Sequence, residues 1–223
     1  MKHHQHPRES GFTLVEIAIV LVVIGLLLGG VLKGQELIEN AKVKSASNDI
    51  SGVKTAYNAY IDRFRRLPGD DGPTLADLTA RGGSWATVTA FGSNDGVLDI
   101  TAANAFAPGG EEVAFWQHLR AAGFIAGNPG DAGLAALPRN AFNGSTAVAV
   151  NTLAVTGMPP NLSTCMGQVP GKAARQLDAQ MDDGNPSTGS FRATLGVMST
   201  NTAPGAAAAN YSDDQQYTVC VAI

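Results

Sequence analysis

Ser10-Gly11-Phe12-Thr13-Leu14-Val15-Glu16, followed by Ile17-Ala18-Ile19-Val20-Leu21-Val22-Val23-Ile24-Gly25-Leu26-Leu27-Leu28, decides how the rest of the chain is read. A polar leader ends in glycine, and an unbroken apolar run begins. Glu16 is the only charge between Phe12 and Leu32. A charged side chain at the centre of a bilayer costs roughly 2.5–3.5 kcal/mol on insertion scales, so such a residue is functional more often than accidental. The run from residue 12 to residue 32 spans about 31 Å as a helix, close to the hydrocarbon thickness of a membrane. The leader, residues 1–11, carries Lys2, Arg8, Glu9 and three histidines, with no apolar periodicity. Positive charge ahead of an apolar run holds that end in the cytoplasm, so the chain leaves on the opposite face.

A secretory signal peptide would place a small-x-small cleavage site just beyond its apolar region. Gly29-Gly30-Val31-Leu32-Lys33 matches that poorly. A lipoprotein signal needs a cysteine there, and the first cysteine is Cys165. A plain signal anchor stays open, but it explains neither Glu16 nor the Gly11–Phe12 junction.

Gly11-Phe12-Thr13-Leu14-Val15-Glu16, behind a basic leader and ahead of this run, resembles the N-terminus of type IV pilins and type II secretion pseudopilins. The resemblance implies cleavage between Gly11 and Phe12 by a prepilin peptidase, N-methylation of the new Phe12 amine, and use of Glu16, then the fifth residue, in subunit assembly. It implies as partners the peptidase, other pilin or pseudopilin subunits, an inner-membrane assembly platform and the membrane itself. It places the chain in a bacterial inner membrane, N-terminus cytoplasmic and head periplasmic, and then in a pilus or pseudopilus. The chemistry of Glu16 agrees. A carboxylate in lipid seeks a positive partner, and in a filament the amine of the neighbouring subunit lies at the same depth. Such a pair penalises wrong register more than it adds affinity. The competing role for Glu16 is an acid at a helix N-terminus that favours the macrodipole.

The chain has 223 residues and a formal net charge of −4; without the leader the side chains sum to about −5. Beyond Arg63, Arg65 and Arg66 there is no cationic cluster, so no nucleic-acid partner is expected. Charged residues are only 15% and glycines number 26, which suits a loop-rich exported domain. Cys165 and Cys220 both lie in the exported part, where an oxidising compartment favours a disulfide. It would close a loop of about 55 residues, worth roughly 4 kcal/mol in the chain-entropy model. Two free buried thiols are the alternative.

Val43, Ala46, Ile50, Val53, Tyr57, Tyr60 and Phe64 recur at alternating spacings of three and four, a single apolar stripe on a helix. No proline interrupts Phe12 to Leu67. One helix is therefore expected from about Phe12 to about Arg66, its first part in lipid and its second part packing a head. Gly25, Gly29, Gly30 and Gly34 weaken its middle. Many pilins carry a proline where Lys33 stands here, so the site of any kink is open.

Leu67-Pro68-Gly69-Asp70-Asp71-Gly72-Pro73 is dense turn chemistry and ends the helix. A short helix is expected over residues 74–80, a longer one over 111–123 and another over 172–181. Strands are expected over 146–156, 191–198 and 217–222. Residues 127–143 read as loop, and 203–210 as an exposed low-complexity loop. The expected class is α+β and pilin-like: a long N-terminal helix packed against a head with an antiparallel sheet. The expected organisation is a removed leader (1–11), a membrane and assembly half of the helix (12–33), an amphipathic half (34–66) and a globular head (67–223). Leu67-Pro68-Gly69-Asp70-Asp71, Phe115-Trp116-Gln117-His118-Leu119 and Asp182-Asp183-Gly184 also look like one pilin-like subgroup, at scattered points that assign no subfamily.

Asp95 and Asp99, with Asn94, form a carboxylate loop able to offer hard oxygens to Ca²⁺; the alternative is a solvated turn. The spacing of a calcium-binding helix-loop-helix is absent. Major pseudopilins can hold calcium in a C-terminal loop, but this loop lies elsewhere. Asp70–Asp71 and Asp182–Asp183 read as turn material, and His118, beside Trp116 on a helix, as a satisfied structural histidine. No nucleophile elbow, phosphate loop or zinc spacing is present, so neither an enzyme nor a cofactor is expected. The functional expectation is a prepilin-like structural subunit, minor or specialised, of a type IV pilus or a type II secretion pseudopilus. The alternative is a membrane-anchored periplasmic binding module or an adhesin-type pilin head.

Overall fold

The computed structural model describes residues 13–150 and 162–223. Helix α1 runs Leu14–Phe64 without a break, within two residues of the expected bounds, and the four glycines of its middle do not interrupt it. Helix α2 is Leu75–Thr79, α3 is Glu111–Ala121 and α4 is Gly171–Met181. Strands β1 (Thr146–Val150), β2 (Leu162–Pro170), β3 (Phe191–Leu195) and β4 (Gln216–Ala222) form one antiparallel sheet in the order β1-β2-β4-β3. This is the α+β, pilin-like architecture, with a long N-terminal helix and a C-terminal sheet.

The chain divides after Ala41 into two units. In the first, every large apolar side chain from Leu14 to Leu32 is exposed. This part of α1 has the length and composition needed to cross a membrane.

In the second unit, Lys42–Ile223, the stripe on α1 becomes the core. Val43, Ala46, Ile50, Val53, Ala56 and Tyr60 are buried, while Tyr57 and Phe64 are half-buried at its margin. One face of one helix serves two clusters. Val43, Ala46 and Ile50 pack with Leu177 of α4 and with Met166, Phe191 and Val219 of the sheet. Val53, Ala56 and Tyr60 pack with Leu78, Trp85, Phe115, Trp116 and Leu119. Fully burying a large apolar side chain is worth about 1.5–3 kcal/mol, so the stripe is a principal attachment of α1 to the head. Arg65, in the left-handed region (φ 55°), follows the last turn of α1 and sends its N–H back to Ile61 O. Leu67-Pro68 then turns the chain away.

Strand β2 has no counterpart among the expected strands. Alternation fails to reveal it because Leu162–Met166 is buried on both faces. A register shift between Met166 and Val169, with Gln168 at φ 60°, breaks the period further. The 203–210 stretch is the loop expected and is exposed at 203, 206, 209 and 210, but it is tied to the sheet as well. Pro204 is buried, Ala208 N–H donates to Ala193 O, and Thr194 bridges Ala207, so the segment covers the open edge of β3. The loop at 127–143 contains a 3₁₀ turn, Gly133–Ala136. The strand expected over 146–156 is β1 as far as Val150; its remainder lies outside the described residues. Cys165 and Cys220 face each other across β2 and β4, both fully buried, and are joined by a disulfide.

Candidate functional site

Gly11 and Phe12 lie outside the described residues. Thr13 is the residue before α1, and Glu16 is on its first turn. The Glu16 Oε2 accepts from both Thr13 N–H and Thr13 Oγ1 at 2.8 Å, while Glu16 N–H donates to Thr13 Oγ1 at 3.2 Å. This is a reciprocal capping box, in which the side chains at the two ends of the turn satisfy each other's backbone donors. The Thr13-x-x-Glu16 spacing before an apolar run was its signal in the sequence. The role of helix-terminal acid is therefore met within this chain. The carboxylate is exposed.

The turn after α1 is more than turn material. Asp70 and Asp71 are both only 2% exposed. Asp70 accepts from Ser93 Oγ (3.2 Å), Asp95 N–H (3.1 Å) and Gly96 N–H (2.9 Å). Glu111, at the start of α3, accepts from Ser93 N–H (3.1 Å) and Asp99 N–H (2.6 Å). Two carboxylates thus hold the 93–99 loop by its backbone. Burial, followed by the charges of Asp70 and Asp99, pushes the Glu111 carboxyl up, partly offset by those N–H donors.

Asp71 accepts from Tyr60 OH (2.7 Å) and takes a two-pronged ion pair from Arg81 (2.9 and 3.0 Å). Burial pushes the Asp71 carboxyl up, but the Arg81 and Tyr60 donors outweigh it and hold it below the usual range. Arg81 also lies over the rings of Trp85 and Phe64.

Helix α3 is buried along its whole length, polar residues included. Gln117 Oε1 accepts from Thr89 and Ala90 N–H, and its amide donates to Thr89 Oγ1 and Asp131 O. His118 Nδ1 accepts from Gly69 N–H (3.0 Å), and Nε2 lies 3.3 Å from Ala90 O as donor. That pattern is the neutral tautomer, and burial lowers the imidazole to about 4. His118 is a satisfied structural histidine, as expected.

Asp95 and Asp99 do not come together as a three-ligand group. Asp95 Oδ1 instead accepts from Val97 N–H, and the loop's backbone is the gripped partner. The acidic group whose oxygens do gather within 4.8 Å, among the described residues, is Asp178, Asp182 and Asp183. Asp178 accepts from Gly184 N–H and Tyr211 OH, Asp182 from Phe191 N–H and Asp183 from Asn185 N–H. They close the α4–β3 connection, and Ca²⁺ would have to share those oxygens with these donors.

The pattern described as the prokaryotic N-terminal methylation motif matches residues 6–32, spanning the Gly11–Phe12 junction, the capping box and the apolar run. The N-terminus of this chain carries the prokaryotic N-terminal methylation motif. The type II secretion system core protein G of Pseudomonas aeruginosa is 37% identical over 62 residues, 27% of this chain and 44% of that protein. The chain therefore matches less than half the length of that curated relative. No solved structure matches it.

Proposed function

We propose that the protein is a prepilin-like subunit. A prepilin peptidase trims it between Gly11 and Phe12, its Phe12 amine is methylated, and α1 assembles it into a type IV pilus or a type II secretion pseudopilus. The observation that carries this is the methylation motif over residues 6–32, joined to a helix whose large apolar side chains from Leu14 to Leu32 are exposed among the described residues. Before assembly those side chains face lipid, with the N-terminus cytoplasmic and the head periplasmic in a bacterial inner membrane. In the filament they face the stems of other subunits.

Glu16 sets the register. Its carboxylate leaves the Thr13 cap for the methylated amine of a neighbouring Phe12, exchanging a neutral donor for a charged one where water is scarce. Residues 12–33 form the assembly half of the stem, 34–66 the half that carries the head, and 67–223 a specialised head that decides what the filament meets. This requires no cofactor. The partners are the peptidase, an assembly platform and the other subunits. Replacing Glu16 with Ala, in cells that assemble the wild-type filament, tests it. The variant should accumulate in the membrane, still trimmed, yet be missing from sheared filaments. Incorporation at the wild-type level would defeat the proposal.

A further inference from the structure

The stem does not end where its lipid-length run ends. Leu32 closes the run, and the first unit of the chain continues to Ala41. Beyond Leu32 the helix turns amphipathic. At about 100° per residue, Gly30, Gly34, Leu37, Ile38 and Ala41 fall within one arc of about 100°. Lys33, Gln35, Glu36, Glu39 and Asn40 all fall outside it. An arc that wide is the face by which a helix packs onto a core. Leu37 and Ile38 are nevertheless each 59% exposed. A glycine inside a helix is destabilising, yet a Cβ at Gly30 or Gly34 would meet nothing within 4 Å.

Lipid does not account for this stripe. Ile38 lies six residues past Leu32, about 9 Å further along the axis, whereas the polar layer of one leaflet adds only about 5–8 Å to the hydrocarbon. Lys33 and Glu36, paired at 2.8 Å with side chains 67% and 52% exposed, place charge at the level where water begins. The stripe and the run therefore differ in what assembly changes for them. The run moves from lipid to protein and gains little, because lipid tails are as apolar as leucine. Leu37 and Ile38 move out of water, which is the transfer that the hydrophobic effect rewards.

Register selects the occupant. With Glu16 on the Phe12 amine of a neighbouring copy, adjacent stems are offset by about four residues, close to one turn. Ile38 then stands level with Gly34 of the next copy, and Ala41 with its Leu37, a large side chain opposite a small one in both pairs. Gly34 stands level with Gly30 of that copy, where two backbones can approach closely. An open helical assembly presents the same face of every copy to its axis, so one stripe per copy is enough.

We propose that Gly34, Leu37, Ile38 and Ala41 carry the assembly face of the stem past the membrane, packing against the stem of the next copy and supplying the hydrophobic drive that the lipid-facing run cannot. This rests on the filament reading above, and it moves the assembly boundary of the stem from residue 33 to Ala41.

The test compares two double variants of the full chain in cells with a prepilin peptidase and an assembly machinery: Leu37→Ala with Ile38→Ala, and Leu27→Ala with Leu28→Ala. Both should be inserted and trimmed like wild type. The first should reduce recovery of sheared filaments by about tenfold, the second by less than about twofold, although each removes a similar apolar volume. Equal losses, or no loss from the first, overturn the proposal. So does a first variant whose head melts lower than wild type, since the stripe then serves the head, or one that fails to insert, since it then serves lipid. If the unsubstituted chain forms no filament, the filament reading itself fails, and the contact with it.

Gly34→Cys with Ile38→Cys, oxidised mildly in assembled filaments and resolved on non-reducing gels, tests the occupant. A ladder extending beyond a dimer, which neither single variant can give, is the expected result. Filaments that give no ladder, or a cross-link to a different protein, overturn the choice of a second copy.

Discussion

Acidification should loosen the head through one buried imidazole. His118 is fully buried, its Nδ1 takes the Gly69 N–H, and its Nε2 proton points at Ala90 O. A second proton can enter only by displacing the Gly69 donor inside a low-dielectric core. Burial outweighs the nearby Asp71 and Asp70 carboxylates, and the group titrates at about 4 in the fold, against about 6.5 in an unfolded chain. The unfolded chain therefore takes up the proton first. The stabilisation is complete above about pH 6.5 and is lost as the pH falls towards 4, at about 3 kcal/mol between pH 7 and pH 4. The assay is denaturant unfolding of the full chain in detergent micelles, followed by the near-ultraviolet signal of Trp85 and Trp116. Wild type is compared with His118→Gln. Glutamine offers a carbonyl to Gly69 and an amide N–H to Ala90 but does not titrate, and the carboxylates common to both proteins cancel in the difference. Wild type should lose about 3 kcal/mol more than the variant over that range. Parallel pH profiles would refute the assignment of His118 as a neutral, buried acceptor.

Three further outcomes follow from the head. Replacing Cys165 and Cys220 with alanine should lower stability by about 4 kcal/mol, from the entropy of a loop with sequence separation 55, measured as a shift in denaturant midpoint. Arg81→Ala strands the buried Asp71 carboxylate and should cost about 3 kcal/mol; Arg81→Ala paired with Asp71→Asn should recover part of it in a double-mutant cycle. Asp70→Ala removes the acceptor of three donors in the 93–96 loop. It should cost about 2 kcal/mol and speed amide exchange at Asp95 and Gly96 before the rest of the head is affected.

What was legible in the sequence was what repeats or pairs. The apolar stripe at spacings of three and four placed one face of α1 against the core, and Tyr60 and Val53 are there. Two cysteines beyond the apolar run pair as a disulfide, and turn chemistry ended α1 near Arg66. Strand β2 was hidden because burial on both faces leaves no alternation. Asp70, Asp71 and Glu111 were hidden for a different reason. A carboxylate that accepts hydrogen bonds from groups 10 to 26 residues away has the same local signature as one in a solvated turn. The same ambiguity made the 93–99 loop look like a cation site, when its amides are what the fold grips. The alanines of residues 203–210 looked like exposed filler because small side chains carry little periodicity, and their backbone is what covers β3. At the N-terminus, the methylation motif over residues 6–32 was legible from residue identity at fixed spacing, and the Thr13-x-x-Glu16 spacing carried the signal of the cap that the hydrogen bonds show.

The most direct measurement is the intact mass and N-terminal sequence of the protein extracted from membranes of cells with an active prepilin peptidase. A mature chain that begins at N-methylated Phe12, with residues 1–11 gone, is the expected result. A chain that still begins at Met1 in those cells would contradict the reading of Gly11–Phe12 as a processing site, and with it the assembly role given to Glu16.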